Sequence, residues 1–384
     1  MSKTSGTLHF LFPVHGDVMV GEADGVWVDG GLKITAVIEG GGAERLTVNG
    51  RPAHKGTDGS FSAEVLLDGR FNRLEAVNPD SGEKQAITVF VFRKAYRKYR
   101  FTVDDFILAF RDLNEHRGDY ASIFDNPYLK VFRDAHDRYG SKVHINAFYE
   151  TDDGAFNLSM MTDRFREEFT ANADWLSFSF HARREHPDLP YRGKGYEEVK
   201  RDCLLVTNEL RRIVGEPALR NTTTLHWGES TVYGTRALRA MGYRALCGYL
   251  TFCRGEDYYR EVYENGQPIV SHHLNREQVA HAEHRCFWVD TEEDVVFAKL
   301  HMILNAGDLT ADRVEAYLDD LITRPAESGF IQMVIHEQYF YPDYVAYEPD
   351  YRDRILTMAK WMQEHGYESV SLSDIIEETE GPAL

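Results

Sequence analysis

Residues 99–105 read Tyr-Arg-Phe-Thr-Val-Asp-Asp, a short β-rich run that ends in two adjacent carboxylates. From this stretch onward, apolar runs alternate with longer segments of helical period, which is the pattern of βα units. About seven or eight such units over roughly 285 residues favour an α/β barrel over an open sheet. The predicted strands are 99–103, 143–149, 175–180, 222–225, 245–250, 286–289, 330–335 and 369–372. The predicted helices are 106–115, 129–139, 196–213, 231–241, 311–322 and 351–365.

The first 95 residues have a different pattern, in which short β-rich runs are separated by Gly, Asp and Asn turns. These runs predict antiparallel strands at 8–14, 32–38, 45–48, 60–67, 73–77 and 85–92. The passages Val48–Pro52, Asp58–Phe61 and Asn72–Glu75 resemble those of bacterial immunoglobulin-like modules. We therefore predict two domains, an all-β immunoglobulin-like sandwich over 1–95 and an α/β barrel over 96–384.

The composition restricts the classes of partner. The formal net charge of −19 argues against nucleic acid, which proteins recognise through clustered Lys and Arg. No stretch of about 18 apolar residues occurs, so we expect no membrane insertion. The first residues do not have the form of a signal peptide, which predicts a cytoplasmic protein. No pattern in the sequence indicates an oligomeric state.

Polar residues follow most of the predicted barrel strands. In a parallel α/β barrel the active site forms where the strands end, because that rim carries the βα loops. Three histidines and a carboxylate pair at these ends are suitable ligands for a zinc-like ion. The strand-end residues are Asp104-Asp105, Tyr149-Glu150, His181, His226-Trp227, Tyr249, Asp290 and His336-Glu337.

Four of these passages, in chain order, resemble motifs of the polysaccharide deacetylases. They are Phe101–Asp105, Ser179–His181 with His186-Pro187, Thr235–Tyr243, and Ile331–His336. Three features depart from that family's pattern. Phe106 replaces the Gly after the Asp pair, the spacing from His181 to His186 is five rather than four, and Leu225–Gly228 replaces an Arg-x-Pro segment.

The resemblance implies a distorted (β/α)7-8 barrel and a metal-dependent hydrolase that removes acetyl groups, N- or O-linked, from a saccharide or surface glycan. It implies that Asp105 and His181 bind a divalent metal, zinc or else cobalt or nickel. It further implies that Asp104 is the general base and His336 the general acid. The third metal ligand is either His226, which we prefer because it ends a strand, or His186.

Aromatic and polar residues near the same rim suggest how an acetylated oligo- or polysaccharide is bound. We predict substrate-binding roles for Trp227, Tyr191, Glu337 and Tyr339. Two other functions stay open at this stage. The chain could be a non-catalytic carbohydrate-binding barrel, or a glycosidase that uses paired carboxylates from Glu150, Asp290 or Glu337.

Overall fold

The computed structural model describes residues 7–252, 269–305 and 309–377. Within these residues the chain divides into two compact units. The first contains the chain up to Tyr96 together with Phe287–Thr291, and the second contains Arg97–Cys286 and the chain from Glu292 onward. In the described residues, no helix has both the length and the apolar character needed to cross a membrane.

The first unit is built from two β-sheets around one apolar core. Strand Gly31–Glu39 alternates buried and more exposed positions, and it pairs antiparallel with Ser60–Leu67. Side chains such as Ile34, Ile38 and Phe61 from these strands pack in the core. One sheet contains His9–Phe12, Val26–Val28, Gly31–Glu39, His54–Lys55 and Ser60–Leu67; the other contains Val18–Met19, Thr47–Val48, Arg51–Pro52, Phe71–Val77 and Lys84–Val91. The short strand Phe287–Asp290 also belongs to this unit.

The second unit is mixed α/β, with parallel strands that carry helices between them. One sheet has Lys98–Phe106 near its centre, between Val143–Phe148 and Phe330–His336. Its other strands are Leu176–Ala182, Met302–Ile303 and Glu368–Ser369. Three further strands, Thr222–Thr224, Ala245–Gly248 and Val295–Lys299, pair in parallel with one another. The two-residue strands Thr251–Phe252 and Ile269–Val270 pair antiparallel.

The helices of the second unit begin and end where local chemistry dictates. In Pro127–Tyr139, the Asn126 side chain accepts a hydrogen bond from the Leu129 N–H, and Gly140 ends the helix with φ 67°. The α-helices are Leu108–Glu115, Pro127–Tyr139, Arg166–Ala171, Tyr196–Val214, Val232–Ala240, Arg276–Ala282, Ala311–Leu321, Pro325–Ser328, Tyr351–Glu364 and Leu372–Glu377. Short 3₁₀ helices of this unit occur at Ile123–Asp125, Leu158–Met160, Glu216–Ala218, His226–Gly228 and Glu337–Phe340, and the first unit has one at Gly21–Ala23.

The mixed α/β class is confirmed, whereas several predicted boundaries are wrong, including the following two. The predicted helix start at Phe106 is wrong because this residue still belongs to the strand, and the helix begins at Leu108. The predicted strand 369–372 is reduced to Glu368–Ser369, since Leu372 begins a helix. The immunoglobulin-like topology of the first unit and a closed barrel in the second stay predictions.

Candidate metal centre

Asp104 and Asp105 stand at the end of the central strand Lys98–Phe106, and both line one pocket of about 340 Å³. Successive residues of a regular strand point to opposite faces, so two neighbours would not normally share a pocket. Here the pairing with the strand Val143–Phe148 shifts register between Val103 and Phe106, and Asp105 has φ 60°. A non-glycine residue held in this conformation costs on the order of 1–3 kcal/mol. This irregularity accounts for the presence of both carboxylates in the pocket.

Asp105 lies against two histidines from neighbouring strand ends. Its Oδ1 is 3.0 Å from Nε2 of His181 and 3.1 Å from Nδ1 of His226. The two imidazole nitrogens are themselves 3.1 Å apart. All three side chains are more than nine-tenths buried. We call these three residues the Asp105 triad.

Backbone carbonyls fix which nitrogen of each imidazole carries the proton. Nδ1 of His181 donates to the carbonyl of Thr224 at 2.5 Å, and Nε2 of His226 donates to the carbonyl of Glu185 at 2.9 Å. A carbonyl oxygen only accepts, so the nitrogen that faces it must be protonated. In a neutral ring the other nitrogen then directs its lone pair at Asp105.

The Asp105 triad is therefore a set of three acceptor atoms that converge in a buried place. Such a set is electrostatically unfavourable unless a cation, either a proton or a metal ion, lies among the three atoms. Two imidazole nitrogens and one carboxylate oxygen are the ligand types that zinc takes at catalytic sites. The side chains present thus fit a zinc-like ion.

The charges around the Asp105 triad shift the pKa values of Asp105 and His181. Burial alone would raise the pKa of Asp105, but the facing imidazoles of His226, His336 and His181 outweigh it and hold that pKa well below its usual range. Burial would lower the pKa of His181, yet the carboxylates of Asp104 and Asp105 raise it above the usual value. Asp105 is thus held in its negatively charged form.

Two amide side chains orient the polar groups at the centre: Gln338 holds Asp105, and Asn305 holds His336. Nε2 of Gln338 donates to Oδ2 of Asp105 at 2.9 Å, which leaves Oδ1 for the two histidines. His336 ends its strand on the same pocket, with Nε2 3.9 Å from Oδ2 of Asp105. Nδ1 of His336 donates to the amide oxygen of Asn305 at 2.7 Å, so Nε2 is the nitrogen directed toward the centre.

Asp104 has a different environment from Asp105. Its Oδ1 accepts hydrogen bonds from Nδ2 of Asn146 at 2.6 Å and from the hydroxyl of Thr102 at 3.3 Å. It lines the pocket but is not a member of the group of atoms that could hold the ion. The two adjacent carboxylates are thus held by different partners.

The structure brings His226, and not His186, to Asp105 and His181. His186 lines the same pocket but is largely exposed, and its Nδ1 pairs closely with Asp152. Asp152, Glu185 and His186 form a second group with metal-ligating side chains, in which Asp152 and His186 are exposed and Glu185 is half-buried. Of the two candidates for third ligand, only His226 contacts Asp105.

Of the four predicted substrate-binding residues, Trp227 and Tyr339 line the pocket and Tyr191 and Glu337 do not. Tyr191 is 2% exposed and its ring packs edge-on against Phe180, and its role in substrate binding stays a prediction. Tyr344 and Tyr249 are aromatic pocket residues that the sequence analysis did not assign to substrate.

Glu337 is a structural residue of the second unit. Its carboxylate is fully buried and accepts hydrogen bonds from the backbone N–H groups of Ile107, Leu108 and Ala109 at 2.6–2.7 Å. At the start of helix Leu108–Glu115 these N–H groups have no acceptor within the helix itself, so Glu337 caps that helix from a distant part of the chain. Burial raises the pKa of Glu337 to about 7 against the effect of these donors. Glu337 does not line the pocket, and its role in substrate binding stays a prediction.

Sequence reasoning missed three polar residues, Asn146, Asn305 and Gln338. Asn146 lies in the middle of a strand rather than at its end, and Asn305 is not part of any of the quoted motifs, so neither residue had a recognisable signal in the sequence. A weak signal exists only for Gln338, which stands two residues after the strand-end His336.

The larger unit is thus a mixed α/β fold with a candidate metal centre at its strand ends. No protein-family model matches the sequence, and no curated protein matches it. The fold is similar over 74% of the chain to a 4-α-glucanotransferase from Thermococcus litoralis, at 12% identity and a TM-score of 0.46, and spans 40% of that protein. It is also similar, over 74% of this chain and 91% of the other, to a protein from Mycobacterium smegmatis described as a polysaccharide deacetylase, at 11% identity and a TM-score of 0.40. At these scores neither likeness assigns the chain to a family or an activity.

Proposed function

We propose that this chain is a metal-dependent hydrolase that removes acetyl groups from a saccharide. The observation that carries the proposal is the convergence of three acceptor atoms in the Asp105 triad, with the protonated nitrogens of both imidazoles turned outward to backbone carbonyls. A second carboxylate, Asp104, and a third imidazole, His336, line the same pocket without belonging to the triad.

Asp105, His181 and His226 would hold the divalent ion, which we propose to be zinc. A metal ion in such a site polarises an acyl carbonyl and lowers the pKa of water toward neutrality. The triad contributes one negative charge and two neutral imidazoles, which leaves a net positive charge to stabilise the oxyanion that develops during acyl transfer.

Asp104 and His336 would move the protons. Asp104, held at Oδ1 by Asn146, accepts the proton of the attacking water on its other oxygen. His336 keeps its Nδ1 proton on Asn305, so it would enter the step as an imidazolium whose Nε2–H protonates the departing nitrogen or oxygen. Before the next cycle Asp104 gives its proton to solvent and His336 takes one up from solvent. In this division of roles, Asp105 would stay bound to the ion, and Asp104 would alternate between its ionised and its protonated form.

The pocket wall suits a sugar substrate. Trp227, Tyr339 and Tyr344 offer ring faces of the kind on which pyranose rings pack, and Asn305 offers an amide for hydroxyl groups. These residues share the pocket with the Asp105 triad. An acetyl group presented to the triad would therefore leave the sugar ring against the aromatic side chains.

The test uses zinc-reconstituted protein with two probes, an N-acetylated chitooligosaccharide and an O-acetylated xylan. We expect acetate release from one of them, and Asp104→Asn should lower it by roughly 10²–10⁴-fold while zinc still binds. Asp188→Asn, which neutralises another pocket carboxylate outside the triad, is the matched control and should stay active. Zinc-free wild-type protein that cannot be reconstituted would contradict the proposal. New reducing ends without acetate would point to the glycosidase alternative instead.

A further inference from the structure

Asn146 is a fully buried residue of the strand Val143–Phe148, and its side chain makes four hydrogen bonds. Nδ2 donates to Oδ1 of Asp104 at 2.6 Å and to the hydroxyl of Thr102 at 2.9 Å. Oδ1 accepts from the hydroxyl of Ser179 at 2.7 Å and from the N–H of Thr224 at 3.1 Å. The Thr223 hydroxyl lies 3.3 Å from the same oxygen, but its single hydrogen is donated to the nearer carbonyl of Phe180.

The chemistry of these partners determines the orientation of the amide. The N–H of Thr224 can only donate, so the atom of Asn146 that faces it must be the oxygen. The NH₂ group must then face Asp104, which as a carboxylate only accepts. A flipped amide would place its NH₂ group against the N–H of Thr224, donor against donor, and its oxygen against the carboxylate of Asp104, acceptor against acceptor.

The two ends of this amide lead to the two halves of the candidate centre. On one side Nδ2 occupies Oδ1 of Asp104 and leaves its other oxygen for a proton. On the other side Oδ1 holds the N–H of Thr224, whose carbonyl accepts the Nδ1 proton of His181. That second bond directs Nε2 of His181 at Asp105.

We infer that Asn146 is a positioning residue that fixes the proton-accepting carboxylate Asp104 relative to the metal-ligating imidazole His181. The inference rests on the proposed function, because it assigns Asn146 a role in the same centre. Its donor end acts on Asp104 and so on turnover. Its acceptor end acts through Thr224 on His181 and so on metal affinity.

Two substitutions separate the two ends. Asn146→Asp keeps an oxygen for Ser179 and Thr224 but places a second carboxyl group against Asp104. Two carboxyl groups this close cannot both be ionised, so the pair holds a proton that blocks Asp104 as a base. We expect the zinc dissociation constant of this variant to stay within about threefold of wild type and its acetate release to fall at least 100-fold. Asn146→Leu removes both ends, and we expect zinc binding to weaken roughly 10–100-fold as well, the range found for partners of metal ligands.

Ser177→Ala is the matched control. Ser177 lies on the same strand as Ser179, but its hydroxyl contacts His144 and the carbonyl of Val143, so the substitution leaves all four bonds of Asn146. It should change neither zinc affinity nor acetate release by more than twofold. Near-ultraviolet circular dichroism checks that each variant is folded. If Asn146→Leu does not fold, the result for Asn146→Asp alone decides the inference.

The outcomes distinguish this inference from the function on which it rests. Wild-type acetate release combined with full activity of Asn146→Asp would overturn the positioning role and leave the proposed function standing. Loss of zinc by folded Asn146→Asp would also overturn it, because the two ends would then not act separately. A wild-type protein that binds no zinc would overturn the proposed function and this inference together.

Discussion

Nε2 of His226 donates a hydrogen bond to the backbone carbonyl of Glu185 at 2.9 Å. The loop that carries His186 therefore contributes to the candidate centre through its backbone, while the His186 ring pairs with Asp152. His226 receives its orientation from this carbonyl and presents Nδ1 to Asp105. The two histidines that competed for the third ligand position thus have distinct structural roles.

The first prediction follows from that difference. His226→Ala should weaken zinc binding by more than the roughly 10–100-fold that outer partners of metal ligands contribute, because it removes one of three acceptor atoms. His186→Ala is the control and should bind zinc within about threefold of wild type. Competition titration against a chromophoric chelator measures both. Equal losses in the two variants would show that the triad is misassigned.

A second prediction concerns His336. His336→Gln should lower acetate release by roughly 10²–10⁴-fold with zinc affinity preserved, because the ring supplies a proton and is not a member of the triad. The exposed His54, in the first unit, provides the control His54→Gln, for which we expect no effect. Substantial zinc loss in His336→Gln would instead make this ring a metal ligand.

A third prediction concerns stability. Glu337→Ala leaves three backbone donors at the start of helix Leu108–Glu115 without their acceptor, so we expect the free energy of unfolding to fall by about 3 kcal/mol. Glu150→Ala, which removes a carboxylate paired with the exposed Arg183, should cost less than about 1 kcal/mol. Urea unfolding followed by circular dichroism measures both. Similar values for the two variants would refute the capping role.

A fourth prediction concerns pH in chelator-treated protein. The pKa of His181 is raised in the folded state, so its proton stabilises the fold fully below the unfolded value of about 6.5 and is lost as pH rises through the folded value. Once His181 loses this proton, the three acceptor atoms of the Asp105 triad face one another with no cation between them. The melting temperature of the metal-free protein should therefore fall from about pH 6.5 toward pH 9, and zinc should reverse the fall. The pH dependence of the stability that Asp105 contributes has the opposite sign, because its pKa is lowered in the folded state and this stability is lost only in acid. A flat profile above pH 6.5 would contradict this account.

The sequence predicted most strand positions, and with them the rim on which Asp105, His181 and His226 meet, because hydrophobic runs and their polar ends are local features. It did not predict the left-handed conformation of Asp105, since no glycine marks that position. The role of Glu337 was also hidden, because its partners lie about 230 positions earlier in the chain.

Buried polar side chains were the other gap. Asn146 sits within a strand that reads as ordinary core, and only the three-dimensional distance to Asp104 gives it a role. Tyr191 is predicted to bind substrate because it is an aromatic residue near the predicted rim, whereas in the structure its ring is buried against Phe180. Residues whose function depends on a distant partner cannot be assigned from spacing along one chain.

The most direct test of the central claim is the zinc content of reconstituted protein, measured by plasma mass spectrometry beside acetate release. We expect one zinc ion per wild-type chain, none in folded Asp105→Ala, and acetate release that disappears with chelator and returns with zinc. Undiminished acetate release from metal-free protein, or an equal zinc content in Asp105→Ala, would contradict the account.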